Sequence, residues 1–388
     1  MSKTARTIAL CSLASLLDGY DIQALGLAIP GMAKDFGVPP TALTFAVSAS
    51  LIGMALGAML LGPLGDRQGR KQMLVATLLL IGATTFGVVS ATNPTQLMIW
   101  RFLCGLGIGA IVPVAIAIVA EAAPPARRTA LVTLMIASSP LGGFIGGFAA
   151  PFIEPAYGWQ GIFGFGGALT LVAGLTIWIA LPVTGQAQTA TLQPSVTTLF
   201  TPQFRARTVL LWTIFWLNLF VSYSLISWLP TLLGAAGWAR GEAQRATGLL
   251  ALGGICGGLL MAWAADKGRA VPTLAASYIL TACLFVLFII GPGERAAWLA
   301  LLALVGAGGI GAQMALGSLA ASFFPAEIRA TGLGWSGGFG RIGAIVGPLA
   351  MAALLHANVA ASLILALLMV PMLACAYCVT RLPKALAG

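Results

Sequence analysis

Apolar runs about as long as a bilayer is thick recur along the whole of this 388-residue chain. A helix needs about 20 mainly apolar residues to cross the hydrocarbon core. Because every backbone group in hydrocarbon needs an internal partner, such runs favour helices. The sequence therefore predicts an all-α integral membrane protein with twelve transmembrane helices, at about 7–30, 41–61, 73–92, 96–120, 129–153, 159–181, 208–233, 244–264, 271–291, 296–323, 331–355 and 359–380.

The composition excludes several classes of protein. Hydrophobic residues make up 59% of the chain and charged residues only 8%, whereas a globular domain carries about 25% charge. The net charge of +10 is spread between the apolar runs rather than gathered in a patch, so no nucleic-acid partner is expected. With one histidine, no metal-ligand cluster and no nucleophile–base pair, the chain is not expected to be an enzyme or to hold a metal or cofactor.

The positions of the basic residues predict the topology. Fourteen of them fall on one side of the predicted spans: Lys3, Arg6, Arg67, Arg70, Lys71, Arg127, Arg128, Arg205, Arg207, Lys267, Arg269, Arg329, Arg381 and Lys384. Only four fall on the other side: Lys34, Arg240, Arg245 and Arg295. Because cytoplasmic loops are enriched in Lys and Arg, both termini are predicted to be cytoplasmic.

The chain divides into two similar halves. The only long polar stretch, 183–207, reads as a linker between an N-terminal six-helix bundle at 1–182 and a C-terminal one at 208–388. The loop sequence Asp66-Arg67-Gln68-Gly69-Arg70 recurs as Asp266-Lys267-Gly268-Arg269. Two parallel repeats of this kind predict bundles related by an axis along the membrane normal, with the substrate site near the midplane.

Two carboxylates, Asp18 and Asp21, lie in the middle of the first predicted span. Acids at that depth are costly and face protein or water, which favours a proton site over a structural tie to a base. The depth of Arg101 on the fourth span suggests a buried contact with Asp21, either as a coupling device that loosens on protonation or as a permanent ion pair. All six cysteines fall within the spans and are predicted to be small apolar fillers.

Candidate substrate ligands are spread over the second half. Arg341 lies at mid-depth in span eleven, where a guanidinium suits bidentate capture of a carboxylate. The alternative interpretation is that it neutralises Asp18, and the two roles are compatible in different conformations. Asn218 and Tyr223 in span seven and Gln313 in span ten are predicted to contact a substrate. The run Gly105-x-Gly107-x-Gly109 is attributed to helix packing rather than to a nucleotide site, because no strand precedes it.

Several of these motifs resemble those of the major facilitator superfamily. The loop between the second and third spans matches its signature: Gly62-Pro63-Leu64-Gly65-Asp66-Arg67-Gln68-Gly69-Arg70-Lys71. Arg101-x-x-x-Gly105 resembles its fourth-helix motif, and Glu121 to Arg128 and Glu327-x-Arg329 match two further cytoplasmic loops. Within the superfamily, Asp18-Gly19-Tyr20-Asp21 resembles the first-helix motif of the aromatic acid:proton symporters.

The resemblance implies a function and a gate. The expected activity is import of an aromatic carboxylate, such as a hydroxybenzoate, with protons by alternating access, from a monomer in the lipid bilayer of the inner (plasma) membrane. The alternatives are another cargo, either a sugar or an aliphatic acid, or a proton-driven exporter. The loop residues are expected to latch the cytoplasmic side, although a simple positive-inside anchor is the other interpretation: Gly62, Asp66, Arg67, Gly69, Arg70, Glu121, Arg128, Asp266, Arg269, Glu327 and Arg329.

Overall fold

The computed structural model describes residues 3–124, 127–182, 196–290 and 294–382. Within these ranges all the regular structure is helical and no strand occurs. Two short 3₁₀ helices, Pro40–Leu43 and Val196–Phe200, accompany the α-helices. The α-helices are α1 (Lys3–Phe36), α2 (Thr44–Gln68), α3 (Arg70–Val89), α4 (Pro94–Ala122), α5 (Arg128–Ala180), α6 (Pro202–Ala235), α7 (Arg240–Asp266), α8 (Ala270–Ile290), α9 (Arg295–Phe323), α10 (Ala326–His356), α11 (Ala361–Leu367) and α12 (Met369–Arg381).

These helices account for the twelve predicted crossings. Eleven stretches of the described chain are long and apolar enough to span a membrane, and α11 and α12 together form the last of them. One stretch, Ala130–Ala180, has 51 residues, which at 1.5 Å per residue is more than twice the roughly 30 Å hydrocarbon core. Gly158 interrupts it with φ 64° and ψ −173°. α5 therefore contains two crossings joined at Gly158, and the prediction of twelve is confirmed.

The chain forms two compact units. Unit 1 comprises Met1–Thr189 and Arg240–Gly248, and unit 2 comprises Ala190–Ala239 and Leu249–Gly388. The beginning of α7 thus packs with unit 1, whereas the sequence analysis assigns all of that span to the second bundle. α6 begins at Pro202, inside the stretch interpreted as a linker. Residues 183–195 of that stretch lie outside the described part of the chain.

Glycines set the helix packing within unit 1. A Cβ on Gly142 of α5 would collide with the carbonyl oxygen of Leu16 on α1, and one on Gly105 of α4 would collide with that of Ser50 on α2. The predicted packing role of the α4 glycine run is therefore confirmed. Small residues at these positions let helix backbones touch, which replaces the hydrophobic driving force that lipid does not supply.

Unit 2 repeats the same contacts about 200 residues later. Gly343 of α10 lies against the carbonyl oxygen of Trp216 on α6, and Gly306 of α9 lies against that of Leu250 on α7. Each position follows its unit 1 counterpart by 200 or 201 residues. The internal repeat that the loop motifs predict therefore extends to the backbone contacts between helices, and it defines which residues of the two units are equivalent.

Candidate functional site

A buried ion pair joins α1 and α4 in unit 1. Arg101 Nη1 on α4 donates to Asp21 Oδ2 on α1 at 2.8 Å. The two side chains are only 1% and 6% exposed. The buried contact between Asp21 and Arg101 that the sequence predicts is therefore present in the structure.

Three uncharged side chains surround this ion pair. Thr85 Oγ1 on α3 donates to Asp21 Oδ1 at 3.3 Å, and Cys104 Sγ on α4 lies 3.5 Å from Asp21 Oδ2. Arg101 Nη2 donates to Ser50 Oγ on α2 at 3.1 Å. The carboxylate therefore receives donors from two other helices, and the guanidinium is held from both sides. We call these five residues the Asp21 cluster: Asp21, Ser50, Thr85, Arg101 and Cys104.

The neighbouring residues fix the orientation of α1. Gly19 lies directly against the carbonyl oxygen of Ser139 on α5. Tyr20 packs its ring against Gly146 and Gly166, and its hydroxyl donates to the carbonyl oxygen of Ile162 at 2.8 Å. With Gly19 and Tyr20 anchored on α5, Asp21 is presented to α3 and α4. Asp18 is also buried on α1, and its part in proton coupling stays a prediction.

The equivalent positions of unit 2 show that packing does not require a polar cluster. The five residues that correspond to the Asp21 cluster through the repeat are all apolar and at most 1% exposed: Val221, Leu250, Phe285, Leu302 and Val305. Unit 2 keeps the glycine contacts described above while it fills these positions with hydrocarbon. Buried charges in a membrane are expensive, and apolar residues occupy the equivalent positions of unit 2, so the shared helix packing alone does not account for the charges of unit 1.

The candidate substrate residues of unit 2 differ in exposure. Arg341 on α10 is partly exposed, and none of the ion pairs between described residues includes it. Tyr223 and Gln313 are also partly exposed. Asn218 is fully buried and donates to the carbonyl oxygen of Gly309 at 3.0 Å, so its amide nitrogen ties α6 to α9.

The predicted gate residues lie at loops and helix ends. Gly69 adopts φ 109° between α2 and α3, a backbone conformation that favours glycine. Arg70 Nη1 donates to Glu121 Oε2 at 3.2 Å, a pairing that the sequence analysis did not assign. Arg329 Nε donates to the carbonyl oxygen of Phe324 at 3.3 Å.

The structure gives less information on the other predicted gate residues. Gly62 lies within α2, while the side chains of Arg67, Arg128 and Arg269 are exposed. The side chains of Asp66, Asp266 and Glu327 lie outside the described part of the structure. The latch function of these loops therefore stays a prediction.

A second polar cluster in unit 1 is absent from the sequence predictions. Glu154 of α5 forms an ion pair with Arg240 at the start of α7 and accepts a hydrogen bond from Gln244 Nε2 at 2.6 Å. Nearby in the chain, Trp159 Nε1 donates to Asp35 Oδ2 at 2.7 Å. The one signal in the sequence that could have revealed this cluster is Glu154, an acid late in an apolar run. Its partner Arg240 lies 86 positions away, and no spacing rule links the two residues.

Sequence reasoning also missed the uncharged members of the Asp21 cluster. The interpretation of every cysteine as an apolar filler is wrong for Cys104, because its thiol contacts both Asp21 and Arg101. Ser50 and Thr85 stand in apolar runs where a single hydroxyl normally bonds to its own helix. Only the packing of α2, α3 and α4 around α1 distinguishes these two from other hydroxyls.

Comparisons with known proteins place the chain in a family. The sequence model of the Major Facilitator Superfamily matches residues 11–348 and 237–386. A solved structure of a bacterial homolog of the human lysosomal transporter Spinster, in an inward-facing and occupied conformation, has a TM-score of 0.74. It covers 100% of this chain and 96% of its own, at 15% identity. That likeness supports the fold alone.

Curated relatives are similar over almost the whole chain. A 4-hydroxybenzoate transporter, PcaK, of Acinetobacter baylyi is 34% identical over 94% of this chain and 88% of its own. A 3-(3-hydroxy-phenyl)propionate transporter of Escherichia coli is 34% identical over 90% and 86%, and a gallate transporter of Pseudomonas putida is 30% identical over 95% and 89%. The chain therefore belongs to the major facilitator superfamily, and it is a multi-pass membrane transporter rather than an enzyme.

Proposed function

We propose that this transporter imports an aromatic carboxylate together with protons by alternating access, with both termini in the cytoplasm. The observation that carries the proposal is the Asp21–Arg101 pair, buried at 2.8 Å in unit 1 where the equivalent positions of unit 2 are Val221 and Leu302. A charge pair that the scaffold does not need, deep in a membrane protein, marks a pathway for ions or protons.

The chemistry of the pair suits proton coupling. When Asp21 is ionised, it neutralises Arg101, and the two side chains hold α1 and α4 together. When Asp21 takes up a proton, the Coulomb attraction is lost, and Arg101 keeps only neutral partners such as Ser50. A buried cation without a counter-charge is strongly unfavourable. Protonation therefore favours a different arrangement of these helices, in which Arg101 finds another anion or reaches water.

Arg341 provides a site for the substrate anion. It is partly exposed and takes part in none of the ion pairs between described residues. A planar guanidinium binds a carboxylate through two parallel hydrogen bonds. Tyr223 and Gln313 supply an aromatic face and an amide in the same unit. The aromatic nature of the cargo is inferred from the relatives, which carry 4-hydroxybenzoate, gallate and 3-(3-hydroxy-phenyl)propionate according to their names.

Energetics explain why an importer of anions needs protons. Moving one negative charge into a cell with a negative interior costs about 2.3 kcal/mol for each 100 mV. One proton that enters with the anion makes the step electrically neutral, and a second makes it favourable. Asp18 and Asp21, buried near the middle of α1, are the two carboxylates that would carry these protons. The loop residues around Gly69, together with the Arg70–Glu121 pair, would latch the cytoplasmic side of the transporter. The protein would act as a monomer.

Uptake into proteoliposomes tests this function. Purified transporter is reconstituted, and accumulation of labelled 4-hydroxybenzoate is followed with and without an imposed pH gradient, alkaline inside. We expect the gradient to drive accumulation, a proton carrier to abolish it, and unlabelled aromatic acids to compete. Competition by a sugar or an aliphatic acid instead would overturn the substrate class. Accumulation driven only by the reverse gradient would identify an exporter.

A further inference from the structure

We propose that Thr85 and Cys104 are positioning residues that hold the Asp21 carboxylate and favour its ionised form during proton exchange. This inference rests on the proposed function, because it assumes that Asp21 carries the coupled proton. It adds two residues from α3 and α4 to a site that the sequence motifs assign to α1 and Arg101 alone.

Thr85 and Cys104 both lie within hydrogen-bonding distance of the Asp21 carboxylate. Thr85 Oγ1 lies 3.3 Å from Asp21 Oδ1, and Cys104 Sγ lies 3.5 Å from Asp21 Oδ2. Both oxygens of the carboxylate are therefore occupied, one by Thr85 and the other by Arg101 and Cys104. Hydrogen bonds to an ionised acceptor stabilise the charged form over the neutral acid. Removing a donor consequently weakens the preference of Asp21 for its ionised form.

The hydroxyl of Thr85 has a second property that Arg101 lacks. A hydroxyl both donates and accepts, whereas a guanidinium only donates. Thr85 can therefore donate to the carboxylate and, after a rotation of its O–H bond, accept from the protonated acid. It remains a partner of Asp21 in both protonation states, but its bond to the ionised carboxylate is the stronger of the two, so Thr85 still favours the ionised form.

The repeat shows that neither residue is demanded by packing. The equivalent residues in unit 2 are Phe285 and Val305, both fully buried and without a polar atom. Thr77, two turns earlier on α3, shows the usual behaviour of a buried hydroxyl in a membrane helix, because its Oγ1 donates to the carbonyl oxygen of Leu74 at 2.9 Å. Thr85 instead reaches across to another helix.

The charged and titratable neighbours of Asp21 are few. α4 contributes Arg101 and Cys104, while α2 and α3 contribute only the neutral Ser50 and Thr85. On α1 itself the titratable neighbours are Asp18 and Tyr20. In the described chain, the acid of α5, Glu154, bonds to Arg240 and Gln244 instead, and the 3₁₀ helix Pro40–Leu43 has no titratable side chain.

Counterflow exchange of labelled substrate, measured over a range of pH with the same pH on both sides, tests the proposal. In the proposed mechanism exchange requires the protonated carrier, so the exchange rate falls as pH rises. The pH at which the rate is half its maximum is the midpoint that the variants should shift. The near-isosteric Thr85→Val should move this midpoint up by about one pH unit, a tenfold change in proton affinity. Cys104→Ala should move it in the same direction by less, because a thiol is a weak donor.

Two control variants separate positioning from packing. Thr85→Ser keeps the hydroxyl and should restore the wild-type midpoint, and Thr77→Val removes a hydroxyl from the same helix and should not move it. An unchanged or lowered midpoint in both Thr85→Val and Cys104→Ala would overturn the inference while wild-type uptake still supported the proposed function. Absence of proton-driven uptake by the wild type would instead overturn the proposed function itself.

Discussion

The two units of this transporter use one packing scheme for two different purposes. In unit 1, Gly105 lies on the backbone at Ser50, and in unit 2, Gly306 lies on the backbone at Leu250. At the positions of the Asp21 cluster, unit 1 buries an acid and a base, whereas the five equivalent positions of unit 2 carry only hydrocarbon side chains. The glycine contacts therefore belong to the scaffold, and the Asp21 cluster is an addition to it.

The two mid-depth arginines differ in the same way. Arg101 is 1% exposed and paired with Asp21, so its charge is balanced within the protein. Arg341 is partly exposed, and no ion pair between described residues includes it. A paired arginine suits the control of a proton site, and an arginine without an internal counter-charge suits a ligand that supplies one. This difference supports our proposal that unit 1 couples protons and unit 2 binds the anion.

The strongest test of this comparison gives unit 1 the two apolar residues that unit 2 has at the equivalent positions. In the double variant Asp21→Val with Arg101→Leu, the pair is replaced by the residues found at Val221 and Leu302. We expect normal membrane insertion and thermal stability with a complete loss of gradient-driven accumulation. Either substitution alone leaves one buried charge unpaired and should destabilise the protein by about 3–5 kcal/mol.

Thermal unfolding of the purified variants in detergent measures this difference. If the double variant were as unstable as the single ones, the pair would be part of the scaffold, and the comparison between the units would fail. Uptake in the same preparations provides the second readout, since retained accumulation in the double variant would exclude the pair from coupling.

A milder change separates coupling from binding. Asp21→Asn keeps the size of the side chain and part of its hydrogen bonding but cannot exchange a proton. Accumulation against a gradient should be abolished, while exchange of labelled for unlabelled substrate continues, because exchange needs no net proton release. Proteoliposomes loaded with or without unlabelled substrate distinguish the two modes. Full accumulation by Asp21→Asn would show that another group carries the proton.

Arg341→Lys tests the anion site in unit 2. Lysine keeps the charge but loses the planar fork that binds both oxygens of a carboxylate. Affinity for an aromatic acid should fall about tenfold, equivalent to about 1.4 kcal/mol, while affinity for the uncharged methyl ester should not change. Binding to purified protein by calorimetry measures both. Equal losses for the acid and the ester would instead assign Arg341 a structural role.

The sequence was most informative where a single residue type has a strong meaning in a membrane. Long apolar runs gave the crossings, and the acids and bases within them, Asp21, Arg101 and Arg341, gave the candidate site. It was least informative about neutral partners. Thr85 and Cys104 look like ordinary residues of apolar spans, because their importance comes from the packing of α3 and α4 against α1. The ion pair of Glu154 with Arg240 was missed although both residues are charged, because they lie 86 positions apart in the sequence.

The smallest expected effects concern the scaffold that both units share. A Cβ on Gly142 or on Gly343 would meet a backbone oxygen of the neighbouring helix, so Gly142→Ala and Gly343→Ala should each lower stability by about 1 kcal/mol as the helices move apart. Gly164 has no atom within 4 Å of its Cβ position, so Gly164→Ala should leave stability unchanged or raise it by up to about 1 kcal/mol through helix propensity. Thermal unfolding in detergent ranks the three. Similar losses of stability for Gly142→Ala and Gly343→Ala would show that the two equivalent contacts contribute equally to the free energy of unfolding. A loss in only one unit would show that the units share the backbone arrangement but not its contribution to stability.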